Sequence, residues 1–341
     1  MIYLDHAATT PTMPNARIVL NSILSVPANP NSTHSVGESA RESVEDSRKI
    51  IARCVHAHPD EILFTYGATE ACIGAMDYLS SHCAITQVSA VEHHAVLDFP
   101  VRTGESEEHA VGYAQMLVNN ETGEIFQMPT REHKNDLIFT DATAAVGHMP
   151  IDVKKLGVDL MAAGGHKFGA PCGIGFLYAR RGLEIPRRSV GTPPVALIAA
   201  MAAALAWQTG CMVQHTERIN DLRGAMLESL LNVPNTLVNS PIQSSLGEKI
   251  SLPHILNISF SGVDGKTLAL LCSKRGVMIS AGAACTSGNN EPSHVIMAMY
   301  GSEIRARSAV RISFSHTNTV EEVKKAASII AECVAELRAI G

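Results

Sequence analysis

Chemistry in this chain concentrates where a reactive residue stands among small neighbours. Gly164-Gly165-His166-Lys167 follows the apolar run 158–163. Burial at a strand end disfavours the charge of a lysine and makes its amine a nucleophile toward an aldehyde. A surface-loop lysine is the other reading of these four residues. Asp141 ends the run 137–140, 26 residues before Lys167. Its carboxylate either caps the following helix or faces a protonated ring nitrogen. Lysine and aspartate at neighbouring strand ends together form the protein half of a pyridoxal 5'-phosphate (PLP) site.

Four more segments hold candidates. Glu92-His93-His94-Ala95 offers a flat imidazole able to stack on a ring and carry protons, or else two loop histidines. Gly67-Ala68-Thr69-Glu70 opens a helix, and its backbone N–H groups with the Thr69 hydroxyl suit a phosphate. Cys285 lies in Ser280-Ala-Gly-Ala-Ala-Cys-Thr-Ser-Gly288, among Ala and Gly. A core cysteine has bulky neighbours, so this context predicts an exposed thiol with access to thiolate chemistry. The other seven cysteines read as packing residues within helical or strand patterns. Arg311, inside Val-Arg-Ile-Ser-Phe, calls for an anionic partner: a substrate carboxylate held bidentately, or an internal salt bridge.

The elements that must position these residues alternate. Strands are predicted at 61–65, 84–89, 114–118, 137–140, 158–162 and 174–178, and helices at 35–55, 68–79 and 194–207. Ser35-x-x-Glu38 reads as a capping box for the 35–55 helix. This order predicts a mostly parallel sheet with helices on both faces, whose ligands sit at the carboxyl ends of the strands. Beyond about residue 235 the pattern changes. Strands at 255–260, 277–280 and 309–313 mix with helices near Leu268 and at 320–337, a smaller α+β arrangement. The opening segment is compatible with either domain.

Composition excludes several classes. The 341 residues are 46% hydrophobic and 18% charged, with 27 Lys and Arg against 33 Asp and Glu. A net charge of −6 without a basic block argues against nucleic acid or an anionic membrane as partner, and 4% aromatics against a base-stacking platform. No run of about 18 apolar residues predicts a membrane span. The start Met-Ile-Tyr-Leu-Asp-His has no basic or apolar leader, so no secretory signal is expected. None of the eight cysteines forms a CxxC pair, which argues against zinc and against a disulfide framework and fits a reducing cytoplasm.

Taken in order, the motifs resemble the cysteine desulfurases, PLP enzymes of the class V aminotransferase fold. They are Tyr3-Leu-Asp5-His6-Ala-Ala-Thr-Thr-Pro11, Asn29-Pro-Asn-Ser-Thr-His34, Phe64-Thr-Tyr-Gly-Ala-Thr69-Glu70, Glu92-His93-His-Ala, Asn119-Asn120-Glu-Thr-Gly123, Asp141-Ala142, His166-Lys167 and the Cys285 loop. Glu291-Pro-Ser-His294 adds a likeness to the long-loop branch. The resemblance implies an α/β, PLP-dependent transferase fold of type I. A large PLP-binding domain would span 15–235, and a small domain 236–341 with 1–14. It implies that Lys167 carries the cofactor and moves protons, Asp141 pairs with the ring nitrogen, and His93 stacks on the ring. Ala68, Thr69 and His166 would hold the phosphate, with Thr192 reaching the phosphate of a neighbouring subunit in a homodimer with shared active sites. Asn120 and Arg311 would hold the carboxylate of L-cysteine. Cys285 would take its sulfur as a persulfide, leave alanine, and pass the sulfur to an acceptor protein for iron–sulfur clusters or tRNA thiolation. A β-lyase or aminotransferase on the same fold, or a non-catalytic scaffold binding a sulfur acceptor, are the competing readings.

The chain departs from the family pattern at several points. Ala144 stands where the resemblance calls for Gln, and Gly164 where it calls for Ser. Two cofactor hydrogen bonds of about 1 kcal/mol each would be lost, and restoring both side chains would tighten binding roughly 30-fold. Only 24 residues separate His94 from Asn119, and the stretch before Gly191-Thr192 lacks a Gly-Gly-Gln-Glu segment.

Overall fold

A computed structural model describes residues 1–27, 29–104, 110–185, 191–241, 250–282 and 291–340. In chain order its strands are β1 (Ile2–Tyr3), β2 (Ile62–Thr65), β3 (Ile85–Val88), β4 (Val111–Ala114), β5 (Leu137–Asp141), β6 (Leu160–Gly164), β7 (Gly175–Ala179), β8 (Thr236–Val238), β9 (Ile255–Phe260), β10 (Val277–Met278) and β11 (Ala309–Ser313). The helices are α1 (Pro14–Leu24), α2 (Ser35–Cys54), α3 (Ala68–His82), α4 (His94–Leu97), α5 (Val153–Leu156), α6 (Val195–Gly210), α7 (Met212–Leu230), α8 (Gly265–Lys274), α9 (His294–Tyr300), α10 (Glu303–Arg307) and α11 (Val320–Ile340). The chain divides into two compact units, one of residues 11–117 and 126–212, the other of 1–10, 118–125 and 213–341.

The first unit is built on a six-stranded sheet ordered β2-β7-β6-β5-β4-β3. Strands β3 to β6 pair in parallel, and β7 runs antiparallel to both of its neighbours. Every residue of β4, β5, β6 and β7 is buried, as expected of strands covered on both faces. Leu137, Phe139, Leu160, Ala162 and Leu177 share a core with Ala71, Cys72, Ala75 and Leu79 of α3. The Ala-rich α6 is buried along most of its length and packs against α1 and α2. Gly157 ends the short α5 in the left-handed region, φ 68°, where a side chain is disfavoured.

Two local expectations are corrected here. Ser35 is the first helical residue of α2, and the cap is His34, whose Nδ1 accepts the Gly37 N–H at 3.3 Å. The strand expected at 114–118 lies at Val111–Ala114, because the parallel register sets Gly112 to Ala114 opposite Leu137 to Phe139. Residues 115–117 still bond to β5 through Gln115 N–H to Phe139 and Leu117 N–H to Asp141, outside a regular ladder.

The second unit holds the antiparallel sheet β11-β9-β8 and the parallel pair β1-β10. Ile2 and Leu4 join its core, so the opening residues belong here. So does most of α7: Ile219, Leu222, Met226 and Leu230 pack with Ile258, Phe260 and Val310. That apolar face explains why this unit starts at 213, ahead of the change of pattern near 235. Among the described residues no single helix is long and apolar enough to cross a membrane. The pair α6 and α7 meets that test only when read together across Cys211.

Candidate active site

Two strand ends and one helix start meet in the first unit. Asp141 is the last residue of β5, and only 6% of it is exposed. Its Oδ1 accepts the Thr143 N–H at 2.9 Å, and the Cys72 thiol on α3 hydrogen-bonds to the same carboxylate. Burial first, and then the charge of Asp141, push that thiol well above the ordinary thiol range. Next in the sheet, β6 ends at Gly164 and passes into a 3-10 turn, Gly165–Lys167, so the lysine follows directly on a fully buried strand. Lys167 is half-buried, and its carbonyl accepts a hydrogen bond from His148 Nε2 at 3.2 Å. His166 is lowered to about 4 by burial and by its charged neighbour Lys167, which makes it a neutral imidazole at physiological pH.

Ala68 and Thr69 form the first turn of α3. Gly67 gives that turn no side-chain cap, so backbone N–H groups at the positive end of a 15-residue helix face outward from it. The end of β6 comes very close to this turn. A Cβ built on Gly164 would stand 3.1 Å from Ala68 Cβ, 3.5 Å from Ala68 N and 3.3 Å from Thr143 Cγ2. Asp141 and Thr143, at the end of β5, and Ala68, at the helix start, thus crowd position 164 so closely that a side chain there would press on its neighbours.

His93 caps α4, its Nδ1 accepting the Ala95 N–H at 3.1 Å, which places the proton of the neutral ring on Nε2. Beside it Glu92 is 1% exposed and accepts the Met116 N–H. Burial, and then the nearby Asp141 carboxylate, raise Glu92 to about 8. Glu92 is therefore mainly protonated at neutral pH. Ala144 has no side-chain group for a ring hydroxyl. Thr192 stands exposed two residues before the Pro194 cap of α6.

These groups fit PLP on the structure's own terms. The acid is buried, the helix turn is uncapped, and the Thr143 hydroxyl oxygen is shut off from solvent without a hydrogen-bond partner. Sequence reasoning missed Cys72, Glu92, Thr143 and His148. Only Glu92 carried a signal, as a neighbour of His93; the others become visible through packing.

The second unit holds Asn120 and Arg311. Arg311 is 1% exposed on β11; its Nη2 lies 3.0 Å from Asp5 Oδ1, and its Nη1 donates to the Asn120 carbonyl at 2.9 Å. The internal salt bridge exists, while the buried Nε has no partner. Ser280 bridges to Arg311 through the backbone and donates its hydroxyl to Asp5 Oδ2 at 2.8 Å. Cys285 lies outside the described residues. Of the other seven cysteines, Cys172 departs from expectation: it is exposed, in a turn five residues after Lys167, because Pro171 and Gly173 place it between strand ends instead of inside an element.

The class-V aminotransferase family model matches residues 2–99, 105–188 and 184–326. A cysteine desulfurase IscS of Pseudomonas putida is 33% identical over 99% of this chain and 93% of its own. One of Methanosarcina thermophila is 30% identical over 99% and 93%. The chain belongs to the cysteine desulfurase family of class-V aminotransferases. This family is PLP-dependent, and its fold is the one seen here: a NifS-like protein superposes with a TM-score of 0.87, at 25% identity over 98% of this chain and 99% of that one. The alignment to the Pseudomonas desulfurase runs over 387 positions against the chain's own 341 residues, so the family member described here is trimmed relative to that desulfurase.

Proposed function

We propose that this desulfurase converts L-cysteine to L-alanine and captures the sulfur on Cys285. The observation that carries the reading is the close approach of the Asp141 strand end and Gly164 to the uncapped first turn of α3, with Lys167 following directly on the β6 strand end. Bound PLP supplies an electron sink for the substrate carbon that loses its proton. Asp141 keeps the ring nitrogen protonated, and Glu92, itself neutral, leaves that charge undivided. His93 stacks on the ring, while Thr69, the N–H of Ala68 and the neutral His166 take the phosphate. Lys167 holds the cofactor and moves the proton at the substrate α-carbon. Arg311, with Asn120, orients the substrate carboxylate.

The thiolate of Cys285 attacks the substrate sulfur, and the carbon–sulfur bond breaks toward carbon, which is then protonated. L-cysteine and the enzyme thiol thus give L-alanine and an enzyme persulfide, with atoms balanced. An acceptor protein then takes the sulfur, for iron–sulfur clusters or tRNA thiolation. Thr192, exposed ahead of α6, supports a homodimer in which each subunit completes its neighbour's phosphate site. The paired thiols of Cys272 and Cys333, hydrogen-bonded to each other, support a reducing compartment, the cytoplasm.

The test is turnover of L-cysteine by the PLP-loaded protein under reductant. Alanine and sulfide in equal amounts, with Cys285 one sulfur atom heavier before reduction, is the expected result. Pyruvate in place of alanine would transfer the protein to the β-lyases.

A further inference from the structure

We propose that Glu121 is a positioning residue for sulfur transfer. It holds Ser293, which flanks the segment carrying Cys285, against the turn that presents Asn120. This deepens, and rests on, the reading that Arg311 and Asn120 bind the substrate carboxylate and that Cys285 takes the sulfur. Asp5, Asn120, Glu121, Ser280, Ser293 and Arg311 all lie in the second unit. Glu121 is 1% exposed, a buried acid directly beside Asn120. The Ser293 hydroxyl donates to its Oε2 at 2.6 Å, the separation of a hydroxyl–carboxylate bond. The same hydroxyl accepts the Ile296 N–H at 3.1 Å and so caps α9. A cap uses only the acceptor oxygen. The bond donated to Glu121 is additional, and it joins residues 172 positions apart.

The turn around Glu121 is itself held. Asn119 Oδ1 accepts the N–H groups of Glu121 and Thr122, each at 2.9 Å, and Asn257 Nδ2 donates to the Glu121 carbonyl at 3.2 Å. The Asn120 carbonyl takes Arg311 Nη1. Glu121 thus reaches Ser293 from a fixed base. At the other flank, Ser280 pairs with Arg311 through the backbone and donates its hydroxyl to Asp5 Oδ2 at 2.8 Å. The 12 residues 281–292, Cys285 among them, therefore start from a partner of Arg311 and end at a partner of Asn120's neighbour. Proximity of nucleophile and substrate raises rate, and small misplacements cost it.

The experiment uses the PLP-loaded protein as wild type, Ser293→Asp, Ser293→Thr, Glu121→Ala and the double variant Glu121→Ala with Ser293→Asp. Aspartate caps a helix as well as serine does, but it brings no donor and sets a second carboxylate against Glu121. Two rates are measured under reductant. One is alanine formation from L-cysteine. The other is exchange of the α-proton of L-alanine in heavy water, which needs the cofactor and the carboxylate site but no sulfur acceptor. Ser293→Asp should lower kcat for alanine formation about 10- to 100-fold, as for one hydrogen bond to a charged group. Exchange, and the KM for L-cysteine, should stay within a few-fold of wild type. Ser293→Thr, which keeps both bonds, should match wild type. The double variant should be no slower than the slower single, since both changes break the same bond. Undiminished kcat in Ser293→Asp overturns the proposal. So do losses that multiply in the double variant, and so does an equal loss of exchange, because Glu121 would then serve the carboxylate site or the fold. A wild type that exchanges no proton and forms no alanine fails the cofactor reading beneath the proposal, a result distinct from every outcome above.

Discussion

The guanidinium of Arg311 lies 3.0 Å from the carboxylate of Asp5, with the arginine side chain 2% and the aspartate 18% exposed. Asp5 is also the acceptor for the Ser280 hydroxyl. Removing one member of a buried ion pair strands the other charge, at a cost of about 3–5 kcal/mol. Asp5→Ala should therefore lose about 3 kcal/mol in urea unfolding, since the residual exposure of Asp5 moderates the effect. Asp5→Asn, which keeps an acceptor, should lose less. A loss below about 1 kcal/mol for Asp5→Ala would mean that water replaces the carboxylate at Arg311.

Glu92 gives the stability a pH dependence whose sign can be worked out. Its pKa rises on folding from 4.5 to about 8, so the folded protein retains a proton that the unfolded chain releases. The advantage of the protonated carboxyl is complete below about 4.5 and is lost as pH climbs toward 8. Glu92→Gln does not titrate. Wild type should thus weaken relative to Glu92→Gln across that window, by up to a few kcal/mol, and the gap should level off above it. Parallel curves from pH 4.5 to 9 in chemical denaturation would show that Glu92 is ionised in the fold.

Gly164→Ser tests the limits of family analogy. By sequence, a serine here restores a cofactor hydrogen bond. In the structure, its Cβ would press on Ala68 Cβ at 3.1 Å and Thr143 Cγ2 at 3.3 Å, two short side chains with little freedom to yield. Overpacking of this kind costs about 1–3 kcal/mol. We expect Gly164→Ser to lower the melting temperature and not to tighten PLP binding. Tighter binding at unchanged stability would mean that β6 and α3 separate easily.

Cys285→Ser separates two steps of the chemistry. In the proposed mechanism cofactor loading and proton removal from L-cysteine depend on Lys167 and Asp141, so visible absorbance and its change on adding substrate should persist. Alanine formation should fall by orders of magnitude, because a hydroxyl does not accept sulfur. Alanine release near the wild-type rate, or a sulfur adduct mapped to Cys172 or another cysteine, would remove Cys285 from the mechanism.

Much of this protein was legible in linear order. The runs at 255–260 and 309–313 are β9 and β11 to the residue, since apolar stretches bounded by turn residues declare short strands locally. The family, too, is written in contiguous motifs, where a reactive side chain and its small neighbours adjoin in the chain. Element ends were less legible. Residues 114–118 read as a strand because their composition is apolar, yet the register with β5 places the strand earlier.

Tertiary structure alone decided what lies across from what. Cys72 and Asp141 are 69 positions apart and Gly164 and Ala68 are 96 apart. No periodicity carries such distances, so neither the thiol on the carboxylate nor the tight approach of β6 to α3 could be read from residue types. Arg311 shows the same division. Its apolar surroundings called for an anion, but which anion depended on β11 bringing it to Asp5, 306 residues away in the chain. Local sequence sets the chemistry each segment offers and the element that carries it. Which groups meet is set by burying those elements against one another, because close packing fixes separations to within an ångström and leaves a glycine where no side chain fits.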